Sequence, residues 1–137
     1  MRDKRPILLL EDDVVDHILV KRAFKDLNII NRLDIFPDGE AAISHLRGNR
    51  NARPCIIILD LNMPRLSGIE FLKIIKEDEE LKLIPIIVLT TSREEQDKAA
   101  CFKLGVAGYM IKPVEYHQFI DLIDTLTTYW TLSELPA

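Results

Sequence analysis

The sequence predicts an α/β fold, a doubly wound five-stranded parallel sheet with five helices. Short apolar runs alternate five times with longer amphipathic segments, which is the pattern of parallel strands joined by crossover helices. Most of the runs are continuously apolar, as expected for strands that helices cover on both faces. A chain of 137 residues fits one such domain. We therefore expect a single domain over residues 1–137, with its core at about 6–130 and a tail at 131–137.

The composition excludes several classes of protein. Hydrophobic residues make up 47% and charged residues 29% of the chain, a balance typical of a folded globular protein. A net charge of −4 disfavours non-specific binding to nucleic acid, because phosphate backbones repel an acidic surface. No apolar run has the length of a membrane span or a signal peptide, so we expect a cytoplasmic protein. Cys55 and Cys101 are expected to be buried free thiols.

The first strand is predicted at Ile7–Leu10, and three acids follow it directly: Glu11, Asp12 and Asp13. Asp13 is expected to cap the first helix, because acids are favoured at helix N-termini. The buried face of this helix is predicted from apolar residues at spacings of four. These residues are Val15, Leu19, Ala23 and Leu27.

The second and third strand–helix units have clear helix starts. The second strand is the weaker run Leu33–Phe36, and Asp38 can cap a helix over Gly39–Arg47. The third strand is Cys55–Leu59. The segment Ser67–Glu70 then has the capping-box pattern of a helix start.

The last two units complete the sheet. The fourth strand is Ile84–Leu89, and Ser92–Glu95 repeats the capping-box pattern. Gly105 stands where a left-handed helix end is expected. The fifth strand is Ala107–Ile111, and the last helix covers about 115–130.

Polar residues follow four of these strands at the point where each strand ends. Glu11 and Asp12 follow the first strand, and Asp60 follows the third. In a doubly wound sheet the ligand site lies beyond these carboxyl ends, so we expect the carboxylates to converge. Clustered carboxylates need a cation, and oxygen ligands favour Mg²⁺ over Zn²⁺. Thr90 and Lys112 would add a hydroxyl and an ammonium, with which such a site can hold a phosphoryl group while a carboxylate attacks phosphorus.

These residues, in this order, resemble the receiver domain of two-component response regulators. The matching positions are Glu11-Asp12, Asp60 with Asn62-Met63-Pro64 and Gly68, Thr90, and Lys112-Pro113. The resemblance covers about residues 6–129 and implies the flavodoxin-like strand order 2-1-3-4-5. The runs 60–64, 116–119 and 130–136 are most similar to the stand-alone receivers that partner cyanobacterial and bacterial phytochromes.

The resemblance implies a Mg²⁺-dependent phosphoacceptor site. Asp60 would accept a phosphoryl group from a sensor histidine kinase, a phytochrome in the finer assignment. Asp12 would bind Mg²⁺ directly and Glu11 mostly through water, with Asp60 and the backbone carbonyl of Asn62 as further ligands. Lys112 would pair with Asp60 or with its phosphoryl group. The protein would catalyse only its own phosphorylation and slow dephosphorylation, so it would be a signalling protein and not an enzyme acting on other substrates.

Four further positions would shape or sense the phosphorylated site. The resemblance implies that Thr90 swings inward and that Tyr109 follows it from an exposed to a buried rotamer. Pro113 would follow a cis peptide bond. Thr91 stands where the family commonly has alanine, glycine or serine, and its larger side chain is expected to slow phosphoryl entry or hydrolysis.

The output of such a protein is expected to be a protein surface. The chain ends at Ala137 and has no basic recognition helix, so neither nucleic acid nor membrane is an expected partner. The helix after Ser92 has a thin apolar face and is the expected moving part. Aromatic and leucine side chains near the C-terminus either complete the core or form a homodimer patch. They are Tyr129, Trp130, Leu132 and Leu135.

Three rival functions fit the sequence less well. A haloacid-dehalogenase-like phosphatase requires a second aspartate two positions after the nucleophile, where this chain has Asn62. A flavodoxin-like flavin binder needs a phosphate loop after the first strand, where the acids 11–13 would repel a phosphate. A pseudo-receiver acting only as an interaction module is disfavoured by the intact acids, Thr90 and Lys112.

Overall fold

The computed structural model describes residues 4–49 and 53–132 and contains one five-stranded sheet. The strands are β1 (Ile7–Leu10), β2 (Leu33–Phe36), β3 (Ile56–Leu59), β4 (Ile86–Thr90) and β5 (Gly108–Ile111). The order is β2-β1-β3-β4-β5, and all neighbouring strands are parallel. The predicted sheet order and fold class are confirmed.

Five α-helices connect and follow the strands within the described ranges. They are α1 (Val14–Asp26), α2 (Gly39–Gly48), α3 (Gly68–Glu77), α4 (Glu95–Lys103) and α5 (Tyr116–Leu132). A short 3₁₀ turn at Leu81–Leu83 separates α3 from β4. None of these helices has both the length and the apolar character needed to cross a bilayer.

Two apolar layers pack on opposite faces of the sheet, because successive side chains of a strand point to opposite sides. Leu8 and Leu10 of β1 face the layer formed with α2, α3 and α4. Ile7 and Leu9 face the layer formed with α1 and α5. The edge strands β2 and β5 are only half-buried, whereas β1 and β3 are buried at every position. The strands that precede the predicted acids are therefore central in the sheet and, like β4, buried on both faces.

Four of the predicted helix ends are confirmed. The side chain of Asp13 accepts a hydrogen bond from the backbone N–H of Val15 at 2.8 Å, and Asp38 caps α2 in the same way. Ser67 and the glutamate three residues later form a complete capping box at α3. Gly105 has φ +83°, a left-handed conformation that glycine adopts without strain.

The capping box predicted at Ser92–Glu95 is wrong. Helix α4 begins at Glu95, and its N-cap residue Glu94 makes no side-chain capping bond. The hydroxyl of Ser92 instead donates to the Asp97 carboxylate at 2.6 Å. Ser92 is engaged in this contact outside the helix, and α4 begins two residues later than a capping box at Ser92 would place it.

The predicted buried face of α1 is wrong at Val15. Val15 is exposed, and the buried residues of the helix are Val20, Ala23 and Phe24. The first turn of a crossover helix begins beyond the end of the strand that precedes it, where the sheet offers no surface to cover it. Leu19 and Leu27, the other predicted members of the face, are half-buried against the core together with α5.

Both cysteines are buried free thiols, as predicted. Burial, followed by the nearby Asp97 carboxylate, raises the pKa of Cys101 to about 11. The thiol is therefore protonated near neutral pH and is a small apolar group of the core. Cys101 is the one buried residue of α4, so this helix has the shallow anchorage that the sequence predicted.

Candidate functional site

The site lies at the carboxyl edge of the sheet, where β1 and β3 run side by side. Leu10 of β1 is paired in register with Leu59 of β3, so the next residues, Glu11 and Asp60, emerge at the same level. The backbone N–H of Asp60 donates to the carbonyl of Leu10 at 2.9 Å and extends this pairing. Carboxylate oxygens of Glu11, Asp12 and Asp60 lie within 4.8 Å of one another. The structure brings together the three acids that the sequence singled out.

Two of the three carboxylates are shielded from solvent. Glu11 is 2% and Asp60 6% exposed, whereas Asp12 is exposed. The Oδ1 atom of Asp60 is buried, and no donor within the described ranges reaches it. A buried carboxylate oxygen without a partner is unfavourable. Together with the two neighbouring carboxylates, this oxygen fits a hard divalent cation, which prefers oxygen ligands.

The pKa of Glu11 is strongly perturbed by its surroundings. Burial raises the pKa of Glu11 to about 8, with the neighbouring Asp60 adding to the effect and a hydrogen bond from Lys112 opposing it. Its Oε2 atom accepts the backbone N–H of Asp12 at 3.1 Å. The surroundings therefore disfavour the ionised form of Glu11, and a bound cation would favour it.

The ammonium group of Lys112 reaches three carboxylates. It donates hydrogen bonds to Oε1 of Glu11 and, at 2.8 Å, to Oδ2 of Asp16, and it lies 3.7 Å from Oδ2 of Asp60. Burial alone would lower the pKa of Lys112, but its hydrogen bonds to Asp16 and Glu11 raise it above the ordinary value. Lys112 is therefore a cation held at the end of β5 by its backbone bond to Thr90. The predicted pairing with Asp60 is present only as a longer contact.

Sequence reasoning missed Asp16. This residue lies in the first turn of α1, where an acid is ordinarily explained by the helix dipole. Its distance to Lys112 depends on how α1 leans toward the end of β5, which no local pattern reports. The available signal was its place five residues after Glu11, one helical turn beyond the strand-end acids.

Thr90 and Tyr109 meet through Ser92 at the start of the loop between β4 and α4. Thr90 is fully buried, and its hydroxyl oxygen accepts the backbone N–H of Ser92 at 3.3 Å. The phenol of Tyr109 donates to the carbonyl of Ser92 at 2.9 Å. Tyr109 is half-buried, and the move from an exposed to a buried rotamer that the resemblance implies stays a prediction. The side chains of Thr90 and Tyr109 therefore both hydrogen-bond to the backbone of Ser92. Their role as a switch stays a prediction.

The loop after Asp60 is shaped by Gly68. A Cβ atom on Gly68 would lie 2.6 Å from the backbone oxygen of Asp60 and 2.6 Å from Cα of Leu61, well inside van der Waals contact. The N–H of Gly68 donates to the carbonyl of Leu61 at 3.0 Å. The loop can therefore fold back against Asp60 only with glycine at this position. Asn62 is exposed in the same loop, and its backbone carbonyl as a metal ligand stays a prediction.

The cis bond predicted before Pro113 is wrong, since every peptide bond in residues 4–49 and 53–132 is trans. The trans isomer is intrinsically favoured before proline by about 0.5–1 kcal/mol. The chain leaves β5 along this trans path.

Comparison with known proteins identifies relatives over most of the chain. Residues 7–124 match the model of the family described as response regulator receiver domain. Response regulator Rcp1 of Synechocystis is 37% identical over 128 residues, which are 90% of this chain and 87% of Rcp1. The probable methanogenesis regulatory protein FilR2 of Methanothrix harundinacea is 35% identical over 127 residues, 90% of this chain and 82% of FilR2.

Solved structures give the same result for the fold. The crystal structure of the Mn²⁺-bound form of Rcp1 superposes with a TM-score of 0.87 at 36% identity, covering 97% of this chain and 99% of that one. The crystal structure of the phosphorylated cyanobacterial phytochrome response regulator RcpA superposes with a TM-score of 0.88 at 33% identity, with the same coverage.

Proposed function

This chain is a response regulator receiver domain of two-component signalling, and from that premise we propose that Asp60 accepts a phosphoryl group from a sensor histidine kinase. The observation that carries the proposal is the convergence of Glu11, Asp12 and Asp60 within 4.8 Å, with Lys112 bonded beside them. The modified protein then signals through altered contacts with other proteins.

The chemistry is a transfer of phosphorus from nitrogen to oxygen. A carboxylate oxygen of Asp60 attacks the phosphorus of a phosphohistidine, an O–P bond forms, and the P–N bond breaks with its electron pair returning to the histidine nitrogen. A Mg²⁺ ion held by Glu11, Asp12, Asp60 and the carbonyl of Asn62 would neutralise the carboxylates and the phosphoryl oxygens. The Mn²⁺-bound form of Rcp1 supports a divalent ion in this role.

The response to phosphorylation runs through the loop between β4 and α4. A phosphoryl group adds about one negative charge and new acceptor oxygens at Asp60. Thr90 and Lys112 would gain partners in that state, and Tyr109 would follow because it shares Ser92 with Thr90. Helix α4 is anchored by a single buried residue, so its displacement costs little. Phosphorylation is thus proposed to shift a two-state equilibrium of α4.

The kinase is proposed to be of the phytochrome class. RcpA is a cyanobacterial phytochrome response regulator, and the bacteriophytochrome response regulator AtBRR superposes with a TM-score of 0.75 at 36% identity. FilR2, whose name indicates regulation of methanogenesis, is as similar in sequence. Direct phosphotransfer from a purified phytochrome kinase and from an unrelated histidine kinase distinguishes the two classes of donor. A cytoplasmic location stays a prediction.

A homodimer through α5 is the second interaction that we propose. Tyr129 is 61% and Leu132 54% exposed on the last turns of the helix, and they line a shallow groove with Asp124, Thr125 and Thr128. Trp130 instead packs against the core. The sequence left open whether these side chains complete the core or form an interface, and the exposed pair favours the interface. Leu135 and the tail at 133–137 lie outside the described residues.

The phosphoacceptor proposal is tested by intact mass spectrometry. The protein is incubated with Mg²⁺ and a small phosphodonor, with and without EDTA. The expected result is a mass gain of one phosphoryl group that EDTA suppresses and that Asp60→Asn abolishes. Asp26→Asn, an acid of the same size on α1 away from the site, serves as the matched control and should be phosphorylated normally. An adduct of undiminished yield in Asp60→Asn would refute the assignment.

A further inference from the structure

The ammonium of Lys112 is shared unequally among the acids around it. Glu11 and Asp16 accept its hydrogen bonds, whereas Asp60 at 3.7 Å is beyond hydrogen-bond distance. A lysine ammonium has three protons to donate, and two of them are directed to Glu11 and Asp16. The group that would balance charge on a phosphorylated Asp60 is therefore engaged elsewhere in this structure.

Asp16 differs from the other partners of Lys112 in its place in the fold. Glu11 and Asp60 follow strands, but Asp16 belongs to α1. Its bond to Lys112 joins the first turn of α1 to the loop between β5 and α5. Beside this bond lies a cavity of about 80 Å³, lined in part by Leu19 and Pro113. The junction is thus held by an ion pair and is not closely packed.

A second contact joins α1 to α5 without touching Lys112. The phenol of Tyr116 donates to Asp26 at 3.1 Å, and the guanidinium of Arg22 lies 4.2 Å from the centre of the Tyr116 ring. This contact lies at the other end of α1 and keeps the two helices together. Breaking the bond between Asp16 and Lys112 would therefore free the first turn of α1 without detaching the helix.

We propose that Asp16 is a positioning residue that holds Lys112 away from Asp60 in the unphosphorylated protein and releases it to the phosphoryl group, so that phosphorylation frees the first turn of α1 from the loop between β5 and α5. This inference rests on the proposed function.

The solvent exposure of Glu11 and Asp16 determines which of them loses its hydrogen bond to Lys112. The side chain of Glu11 is 2% exposed and that of Asp16 is 23% exposed. A buried carboxylate that loses its cation is left unpaired in a poorly hydrated place, which is strongly unfavourable. A partly exposed carboxylate is hydrated again when the lysine leaves, so breaking its ion pair is much less unfavourable. Asp16 is therefore the partner that Lys112 leaves, while its bond to Glu11 can persist.

The first test measures the affinity of the Mg²⁺-loaded protein for beryllofluoride, a phosphoryl analogue, by ¹⁹F NMR. Asp16→Asn is expected to bind beryllofluoride about three- to tenfold more tightly than the wild type, because Lys112 no longer has to leave a charged partner. Asp16→Glu restores a carboxylate and should return the affinity toward that of the wild type. Asp121→Asn removes an exposed acid on α5 without touching Lys112 and should leave the affinity unchanged.

A double-mutant cycle separates this effect from a general loss of negative charge. In a Lys112→Ala background, Asp16→Asn should change beryllofluoride affinity by less than about twofold. An equal gain with and without Lys112 would overturn the proposal, as would no gain in Asp16→Asn alone. Failure of the wild type to bind beryllofluoride at all would count against the proposed function instead. Asp16→Ser, with its thermal unfolding recorded, replaces Asp16→Asn if that variant does not fold.

The second test measures amide hydrogen exchange in the full chain. Beryllofluoride should speed exchange in residues 14–19 and 113–116 of the wild type. In Asp16→Asn the same segments should exchange faster before beryllofluoride is added, while Asp121→Asn, which removes an exposed acid on α5, should behave as the wild type. Slower exchange in these segments on addition of beryllofluoride would contradict the release of α1.

Discussion

At the scale of single residues, the site is defined by carboxylates that the protein itself leaves incompletely neutralised. Glu11 has a raised pKa because it is buried, and Oδ1 of Asp60 has no donor among the described residues. Lys112 offsets part of this charge but does not reach that oxygen with a hydrogen bond. The folded state therefore carries an electrostatic cost that a bound cation would remove.

Removing the Asp60 charge should stabilise the metal-free protein. In EDTA we expect Asp60→Asn to raise the free energy of unfolding by about 1 kcal/mol, because an uncharged amide replaces a buried carboxylate that has an unpartnered oxygen. Mg²⁺ should raise the melting temperature of the wild type, since it binds the folded state only, and should have little effect on the variant. Calorimetry with and without Mg²⁺ measures both changes. A variant less stable than the wild type in EDTA would contradict this account of the charge.

Thr91 is the second residue with a specific consequence. It is exposed, at the end of β4 next to the buried Thr90. If its side chain narrows access to the phosphoryl group, Thr91→Ala should raise the rate of phosphorylation by a small phosphodonor, the rate of hydrolysis, or both, by about twofold to tenfold. Thr125→Ala, an exposed threonine on α5, is the control. Unchanged rates in Thr91→Ala would show that the Thr91 side chain does not limit access to the phosphoryl group.

At the scale of elements, the approach of α3 to the loop after β3 fixes the position of Asp60. Gly68→Ala forces a Cβ atom against the backbone of Asp60 and Leu61. We expect a loss of about 1–3 kcal/mol in the free energy of unfolding and weaker Mg²⁺ binding, because the loop must move. Gly48→Ala is the matched control, since nothing lies within 4 Å of a Cβ atom there. It should leave Mg²⁺ binding unchanged, and calorimetric titration compares the two variants.

The sequence predicts the elements and the convergence of Glu11, Asp12 and Asp60, because continuous apolar runs mark buried strands and parallel strands end at one edge. The sequence does not predict contacts that depend on the relative orientation of helices and strands. The bond between Asp16 and Lys112 requires the tilt of α1, which spacing does not encode. The capping box at Ser92 fails for a local reason: its hydroxyl accepts the N–H of Glu94 and donates to Asp97 before the helix begins at Glu95. A local side-chain bond thus replaces the predicted cap.

At the scale of the whole molecule, the exposed end of α5 should control self-association. Replacing Tyr129 and Leu132 together by serine should weaken a homodimer at least about tenfold, because aromatic and leucine side chains dominate such interfaces. Ile30→Ser, which removes another exposed apolar side chain, is the control and should not change association. Sedimentation velocity over a concentration series makes the measurement. A wild type that remains monomeric at high concentration would exclude the dimer.

If side chains from separate strands assemble one phosphoacceptor at Asp60, borohydride reduction identifies the modified residue. The protein is treated with Mg²⁺ and a small phosphodonor, the product is reduced with borohydride, and the peptides are mapped by mass spectrometry. An acyl phosphate is reduced to the corresponding alcohol, so we expect homoserine at position 60 and unmodified Glu11 and Asp12. Reduction at another acid, or none in protein that has gained a phosphoryl group, would contradict this assignment.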